Sequence, residues 1–265
     1  MSTPPPPLPA SGPVIEPPQQ PALSESARLV NTFIAPSKTF ADVKRKPSWF
    51  IPWLVTGLLS LMVAGIAVQK LDMEQLVRQS IERSPMAQRR MEGLSPEQRE
   101  RGIALQTTIT KVTFFISPVF FLILGLLVAA ILMAVFNFGF GAEVSFPSSL
   151  AVTFYSFLPG IVGAVLLVVS LLVSSDPNSI DFASGNPVAT NPAFFMDWAS
   201  SSRFLYSLAS GLDVLRIWEI ALLGLGFSIV SSSPKRKLSA GTAITTVFVL
   251  YAVYVLGRAA LAAAF

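Results

Sequence analysis

Four ionisable side chains in the C-terminal third of this chain are the residues best placed to do chemistry. Asp213, Arg216 and Glu219 follow one another at intervals of three. On a helix this spacing puts them on one side, with Arg216 in reach of both carboxylates. Arg258 stands in the last apolar stretch, a few residues before Phe265. A charge inside a membrane-spanning stretch is costly unless it is paired or turned toward a bundle interior. If the two stretches are antiparallel neighbours, a rise of about 1.5 Å per residue puts Glu219 and Arg258 each about 10 Å from the same end. The four are therefore expected to pair as Glu219–Arg258, or to share a network with Asp213 and Arg216. The primary reading is structural, and the alternative is an ion or proton relay.

The rest of the chain offers little to a catalyst. Its 265 residues include no Cys and no His, which removes thiol nucleophiles, disulfides and His-dependent triads, and leaves carboxylates as the only strong metal ligands. No phosphate-cradling loop, metal cluster or nucleophile motif is apparent. The expectation is a non-enzymatic protein with no catalytic residues, no cofactor-binding residues and no metal site.

The elements that must position the four charges are apolar. Hydrophobic residues make up 52% of the chain and charged ones 13%, and the mean hydropathy is +0.61. Soluble domains average roughly 25% charged residues. Five stretches have the length needed to cross a bilayer, at about 49–68, 112–138, 150–173, 213–230 and 242–264. The fold class predicted is an all-α polytopic membrane protein with five transmembrane helices plus short interfacial helices. Pro52 suits the first turn of the first span. Trp49 and Trp53 suit its headgroup level. Pro118 and Pro159 are expected to kink the second and third spans.

Residues 1–23 are Pro-rich and read as a disordered tail that lacks the apolar core of a signal peptide. Ser24 or Ser26 can cap a helix carrying Leu29, Val30, Phe33 and Ile34 on one side, and Pro36 ends it. Ser37 can then cap a second short helix through Phe40 and Val43. Both read as interface-lying pieces. Residues 69–111 form a charged helical loop with eight Lys/Arg against six Asp/Glu. In it Ser95-Pro96-Glu97-Gln98 is a capping box whose helix can run straight into the second span. Residues 174–212 are polar but rich in aromatics, and predict an interfacial helix or a re-entrant cover.

Orientation rests on two Lys-Arg-Lys runs, Lys44-Arg45-Lys46 before the first span and Lys235-Arg236-Lys237 between the last two. Loop counts of basic residues balance, but these runs abut spans, and basic residues near span ends carry the topological signal. That places the N-terminus in the cytoplasm. The same placement accounts for the basic pI of 9.6 without a nucleic-acid partner.

Leu29 to Pro52 (LVNTFIAPSKTFADVKRKPSWFIP) resembles the entry segment of bacterial Yip-domain membrane proteins. In these a Pro-x-x-x-Phe element, here Pro36 and Phe40, and a basic stretch precede the first of five spans. Tyr155-Ser156-Phe157-Leu158-Pro159 resembles the family's Tyr-Ser-x-x-Pro turn in the third span, which singles out Tyr155, Ser156 and Pro159. Trp218-Glu219 followed by a basic link and a final span also fits. The resemblance covers about residues 28–262. Eukaryotic relatives interact with Rab-type GTPases and act in vesicle formation and Golgi membrane traffic, and their acidic Asp-Leu-x-Gly-Pro element is not present here.

The function expected is therefore a scaffold, membrane-organising or partner-recruiting role in a bacterial inner membrane. A small-solute or ion transporter component using spans four and five is the alternative. The partners implied are the lipid bilayer, membrane or cytoplasmic proteins, and a second copy of the chain as a homo-oligomer.

Overall fold

The computed structural model describes residues 22–232 and 238–264. Lys235, Arg236 and Lys237, and all but the end of the Pro-rich tail, lie outside the described residues. The described residues form helices and turns without a strand.

Helix α1 (Glu25–Ile34) starts at Ser24, whose Oγ accepts the Ala27 N–H at 3.1 Å. Helix α2 (Pro36–Arg45) begins at Pro36 itself. Pro36 thus opens the second helix one residue ahead of the expected Ser37 cap, at a position where its missing N–H has no intrahelical partner to lose. Helix α3 (Phe50–Lys70) follows, then α4 (Met73–Glu82) and α5 (Pro85–Glu92).

Helix α6 (Pro96–Phe140) is one continuous rod of 45 residues, about 67 Å at 1.5 Å per residue. Ser95 and Gln98 form the capping box at its start. It ends on Gly141 in the left-handed region (φ 64°) with Ala142 N–H on the Phe136 carbonyl and Gly141 N–H on that of Asn137, a Schellman stop that favours glycine. Pro118 sits inside it, braced by α3. Trp53 Nε1 donates to the Pro118 carbonyl at 3.2 Å, and Ser117 Oγ lies 3.3 Å from Ser60 Oγ. Gly57 leaves room for the ring, since a Cβ there would already stand 3.4 Å from Pro118.

The expected third span is two helices, α7 (Phe146–Ser156) and α8 (Gly160–Val173), separated by a turn at 157–159. Pro159 breaks the helix here instead of bending it, because the ring supplies no N–H to the preceding turn. Helices α9 (Arg203–Gly211), α10 (Val214–Val230) and α11 (Ala240–Ala264) complete the chain.

Four segments are long and apolar enough to cross a membrane: α3, α6, α7 with α8, and α11, with mean hydropathies of 2.1, 3.1, 2.5 and 1.8. The fourth expected span falls on α10. With 17 residues, α10 stands at the short end of the range of about 17–25 that spans a bilayer. Much of its surface is covered by protein.

Helix α10 is the hub of the packing. It lies against α2, α7, α8 and α11. Gly224 brings it onto α11 so closely that a Cβ there would fall 2.3 Å from the Ile244 Cα. Small residues permit such approach between membrane helices, where packing replaces the hydrophobic drive. The main core gathers Phe40 and Val43 of α2, Phe136 of α6, Val152 and Tyr155 of α7, and Phe227 of α10.

The end of the bundle at which α10 finishes and α11 starts is here termed the near end, and the opposite one the far end. At the far end α4 packs on the polar first turns of α6, and the 174–202 segment is stapled to it. Arg83 pairs with Asp181 at 2.6 Å, and the guanidinium groups of Arg83 and Arg203 each lie over the Trp198 ring, 5.4 and 5.3 Å from its centroid.

Candidate functional site

Two places gather the residues singled out by the sequence. The first is a near-end joint. Pro36 sets φ for the first turn of α2 and so aims Phe40 into the core, where it is fully buried against Val152 and Gly226. A Cβ on Gly226 would lie 2.5 Å from Val152 and 3.1 Å from the Phe40 ring. Tyr155, also fully buried, donates its hydroxyl to Glu25 Oε2 of α1 at 2.8 Å. The two family-like motifs, far apart in the chain, thus meet at the seam between the α1–α2 pair and α7. Ser156 is buried beside them and its Oγ has no hydrogen-bond partner.

At the centre of this seam is a pair that sequence reasoning missed. Arg28 of α1 and Asp42 of α2 form a salt bridge at 2.7 Å, with side chains 1% and 2% exposed. Arg28 also reaches Glu25 at 3.2 Å and donates to the Lys46 carbonyl. Thr32 and Thr39 both donate to the Arg28 carbonyl. Burial works against both charges. For Asp42 the Arg28 hydrogen bond, a backbone N–H from Leu23 and Arg45 outweigh it and hold the carboxyl below its usual range. For Arg28, burial is outweighed by its hydrogen bond to Asp42, by the nearby Tyr155 hydroxyl and by the charge of Glu25, so its pKa is raised. Singly, each left a trace in the sequence: Arg28 and Asp42 flank the apolar faces on which Leu29, Phe33, Phe40 and Val43 lie.

The first basic run is part of the joint. Lys44 Nζ donates to the Ser231 carbonyl just past the end of α10 at 2.6 Å, where a cation also suits the helix dipole. Arg45 pairs with Asp42 at 2.7 Å. Lys46 contributes its carbonyl to Arg28 and leaves its side chain exposed.

The second place is a cavity of about 780 Å³ holding all four membrane charges. Asp213 is the N-cap of α10 and accepts the Leu215 and Arg216 N–H groups. Its other oxygen accepts from Thr190 and Asn191 of the 174–202 segment. Arg216 pairs with Glu219 at 2.6 Å, and Glu219 is 5% exposed. Arg258 does not form the expected pair with Glu219. Its guanidinium is held on α9 instead, donating to the Ser207 carbonyl at 2.8 Å and to Ser210 Oγ. The reason is the course of α9, which packs along α11 with Gly211 against Val255 and its carbonyl bonded to Tyr251. Arg258 meets those groups first, and the charges share a cavity without a Glu219–Arg258 contact.

The cavity's remaining wall is apolar. Leu124, Val128 and Ile131 of α6 face Val247 and Leu250 of α11. Residues 184–188, 190 and 191 line its far end, where Thr190 and Asn191 bond the Asp213 cap. Helices α6 and α11 do not pack closely on each other, and Leu124, Ile131 and Leu250, which line the cavity, are exposed there.

In a comparison with known families, the Yip1 domain matches residues 30–257. Neither a curated protein nor a solved structure matches the chain. The matched region takes in the end of α1, all of α2 to α10 and most of α11, and with them both motif elements, while Glu25 and Arg28 of the joint precede it and Arg258 of the cavity follows it. This integral membrane protein belongs to the Yip1-domain family.

Proposed function

We propose that the protein is a non-enzymatic membrane scaffold whose α1–α2 pair is a fixed platform for recruiting a protein partner. The supporting observation is the Arg28–Asp42–Glu25–Tyr155 clamp. Two helices of ten residues cannot hold a core by themselves, and here a buried ion pair and the Phe40 anchor dock them on α7 and α10. Docking turns Leu29 and Phe33 inward and leaves Val30 and Ile34 outside, Ile34 with 75% exposure. The positive-inside signal of Lys44–Lys46 supports placing this platform on the cytoplasmic side of a bacterial inner membrane, with five spans including α10. The Pro-rich segment leads into the same platform.

A photo-crosslinking residue placed at Ile34 tests this in intact cells. The expected result is one discrete crosslinked species that is absent when the same residue replaces Leu261, on the exposed face of α11. Equal or absent crosslinking at both positions overturns the recruitment reading. Recovery of the same species in mild detergent would identify the partner, and recovery of only this chain would redirect the reading to self-association.

The transporter alternative draws on the charged cavity. Against it, the α6 wall of that cavity carries Leu124, Val128 and Ile131 and no ionisable group that a polar solute could use. The cavity's mixed character suits a different ligand.

A further inference from the structure

We infer that the cavity between α6, α10 and α11 binds a zwitterionic glycerophospholipid carrying a primary ammonium, of the phosphatidylethanolamine type. This is independent of the recruitment platform, which lies at the near end.

Charge is the first argument. Of the four ionisable groups, Arg216 and Glu219 neutralise each other at 2.6 Å. The other two carry opposite charges and no ion pair. Asp213 is satisfied only by neutral donors: two backbone N–H groups, the Thr190 hydroxyl and the Asn191 amide. Arg258 donates only to neutral oxygens of α9. Both line the same cavity, as does Tyr251 of α11, whose hydroxyl donates to the Gly211 carbonyl of α9. A headgroup bearing one phosphate and one ammonium complements this arrangement, the phosphate toward Arg258 and the ammonium toward Asp213. An anionic headgroup answers only Arg258, and a quaternary ammonium brings no N–H to Asp213. Two polar atoms of the same wall, Asn191 Oδ1 and Arg258 Nε, are buried without partners. Such orphans are uncommon in a finished site and mark its polar end as incomplete.

Shape is the second argument. About 780 Å³ falls within the roughly 300–1,000 Å³ of ligand sites. Polar groups gather at the end lined by residues 184–188, 190 and 191, while Leu124, Val128, Ile131, Val247 and Leu250 line the part between α6 and α11. A polar head at that end with acyl chains leaving through the apolar gap fits this gradient. Leu124, Ile131 and Leu250 are themselves exposed at that gap.

The test is native mass spectrometry of the full chain, delipidated and then equilibrated in micelles with equimolar dioleoyl phosphatidylethanolamine, phosphatidylglycerol and phosphatidylcholine. The expected result is one retained phosphatidylethanolamine, at least fivefold over either competitor. Asp213→Asn keeps the helix cap, because Asn caps as well as Asp. It should abolish the preference over phosphatidylglycerol while retention of lipid persists. Arg258→Gln should lower retention of every phospholipid at least fivefold. Leu250→Trp, at an exposed position, should block the gap and lower retention whether or not Arg258→Gln folds. Equal retention of the three lipids by the parent chain overturns the inference. So does a preference for phosphatidylglycerol, or a Leu250→Trp protein that retains lipid as the parent does.

Discussion

Replacing Arg28 by Met should release the α1–α2 pair from the bundle while leaving the rest of the fold in place. The side chains of Arg28 and Asp42 are 1% and 2% exposed, and their contact is 2.7 Å. Removing one member of a buried ion pair costs about 3–5 kcal/mol, because the other charge stays behind without compensation. Here the cost lies at the lower end. Asp42 keeps Arg45 at 2.7 Å, on the half-exposed rim of the seam. A loss of about 3 kcal/mol corresponds to roughly a hundredfold rise in the opening equilibrium, at 1.4 kcal/mol per factor of ten. Amide hydrogen exchange of the full chain in nanodiscs reads this directly. Amides of residues 25–46 should exchange roughly a hundredfold faster, with those of α3 and α6 unchanged as internal controls. The double change Arg28→Met with Asp42→Leu should recover most of the protection, since neither partner is left charged and alone. Exchange within threefold of the parent in Arg28→Met would refute the reasoning. So would a double variant as exposed as the two single effects summed.

Acid should act on the same seam with a defined sign. The Asp42 carboxyl is held below its usual value of 3.8, so its stabilisation is complete above that value and is lost as pH falls through the lower folded one. Protection of α1 and α2 should stay flat from pH 7 to 5 and fall only below about 4, a profile that Asp42→Asn should flatten. Phe40→Ala should cost about 3–5 kcal/mol, read as a lower thermal midpoint of the purified protein. Gly224→Ala should disrupt the α10–α11 contact, because the new Cβ would meet the Ile244 backbone at 2.3 Å. Gly257→Ala, which meets nothing within 4 Å, should leave expression and monodispersity unchanged. Charge reversal of both Lys-Arg-Lys runs should invert or scramble insertion, while neutralising the dispersed basic residues of 69–111 should not. The absence of cysteine makes single-cysteine labelling a clean readout of sidedness.

Local signals in the sequence survived into the structure where the governing physics is local. Ser95 and Gln98 form their capping box because both partners lie within one turn. Ser24 caps α1 for the same reason. The charge spacing of Asp213, Arg216 and Glu219 put Arg216 on Glu219 as a one-turn interval allows, while Asp213 turned to the α10 backbone because it stands at the cap. What was not legible depended on which helices become neighbours. The Glu219–Arg258 pair failed because α9 lies along α11 and offers Arg258 the Ser207 carbonyl and Ser210 hydroxyl. Arg28 and Asp42 were invisible as a pair because they stand on separate helices, and their contact exists only once α1 folds back on α2. Lys44 looked like a topological mark, yet its ammonium also closes the end of α10, at a distance in sequence that no local rule covers. Pro159 was read as a kink and became a break, because how far a missing N–H opens a helix depends on the packing around the turn at 157–159.

The rod α6 has a mechanical consequence. It is supported at Pro118 by Trp53, Gly57 and Ser60 of α3, close to its midpoint between Pro96 and Phe140. That makes α3 a fulcrum and α6 a lever with arms of about 33 Å each. A ten-degree rock about Pro118 moves each tip by about 6 Å in opposite directions. One tip carries the α4–α5 cap, and the other carries Phe136 into the core that seats Phe40. Such a rock would couple the α4–α5 cap to the seat of Phe40 at the opposite tip.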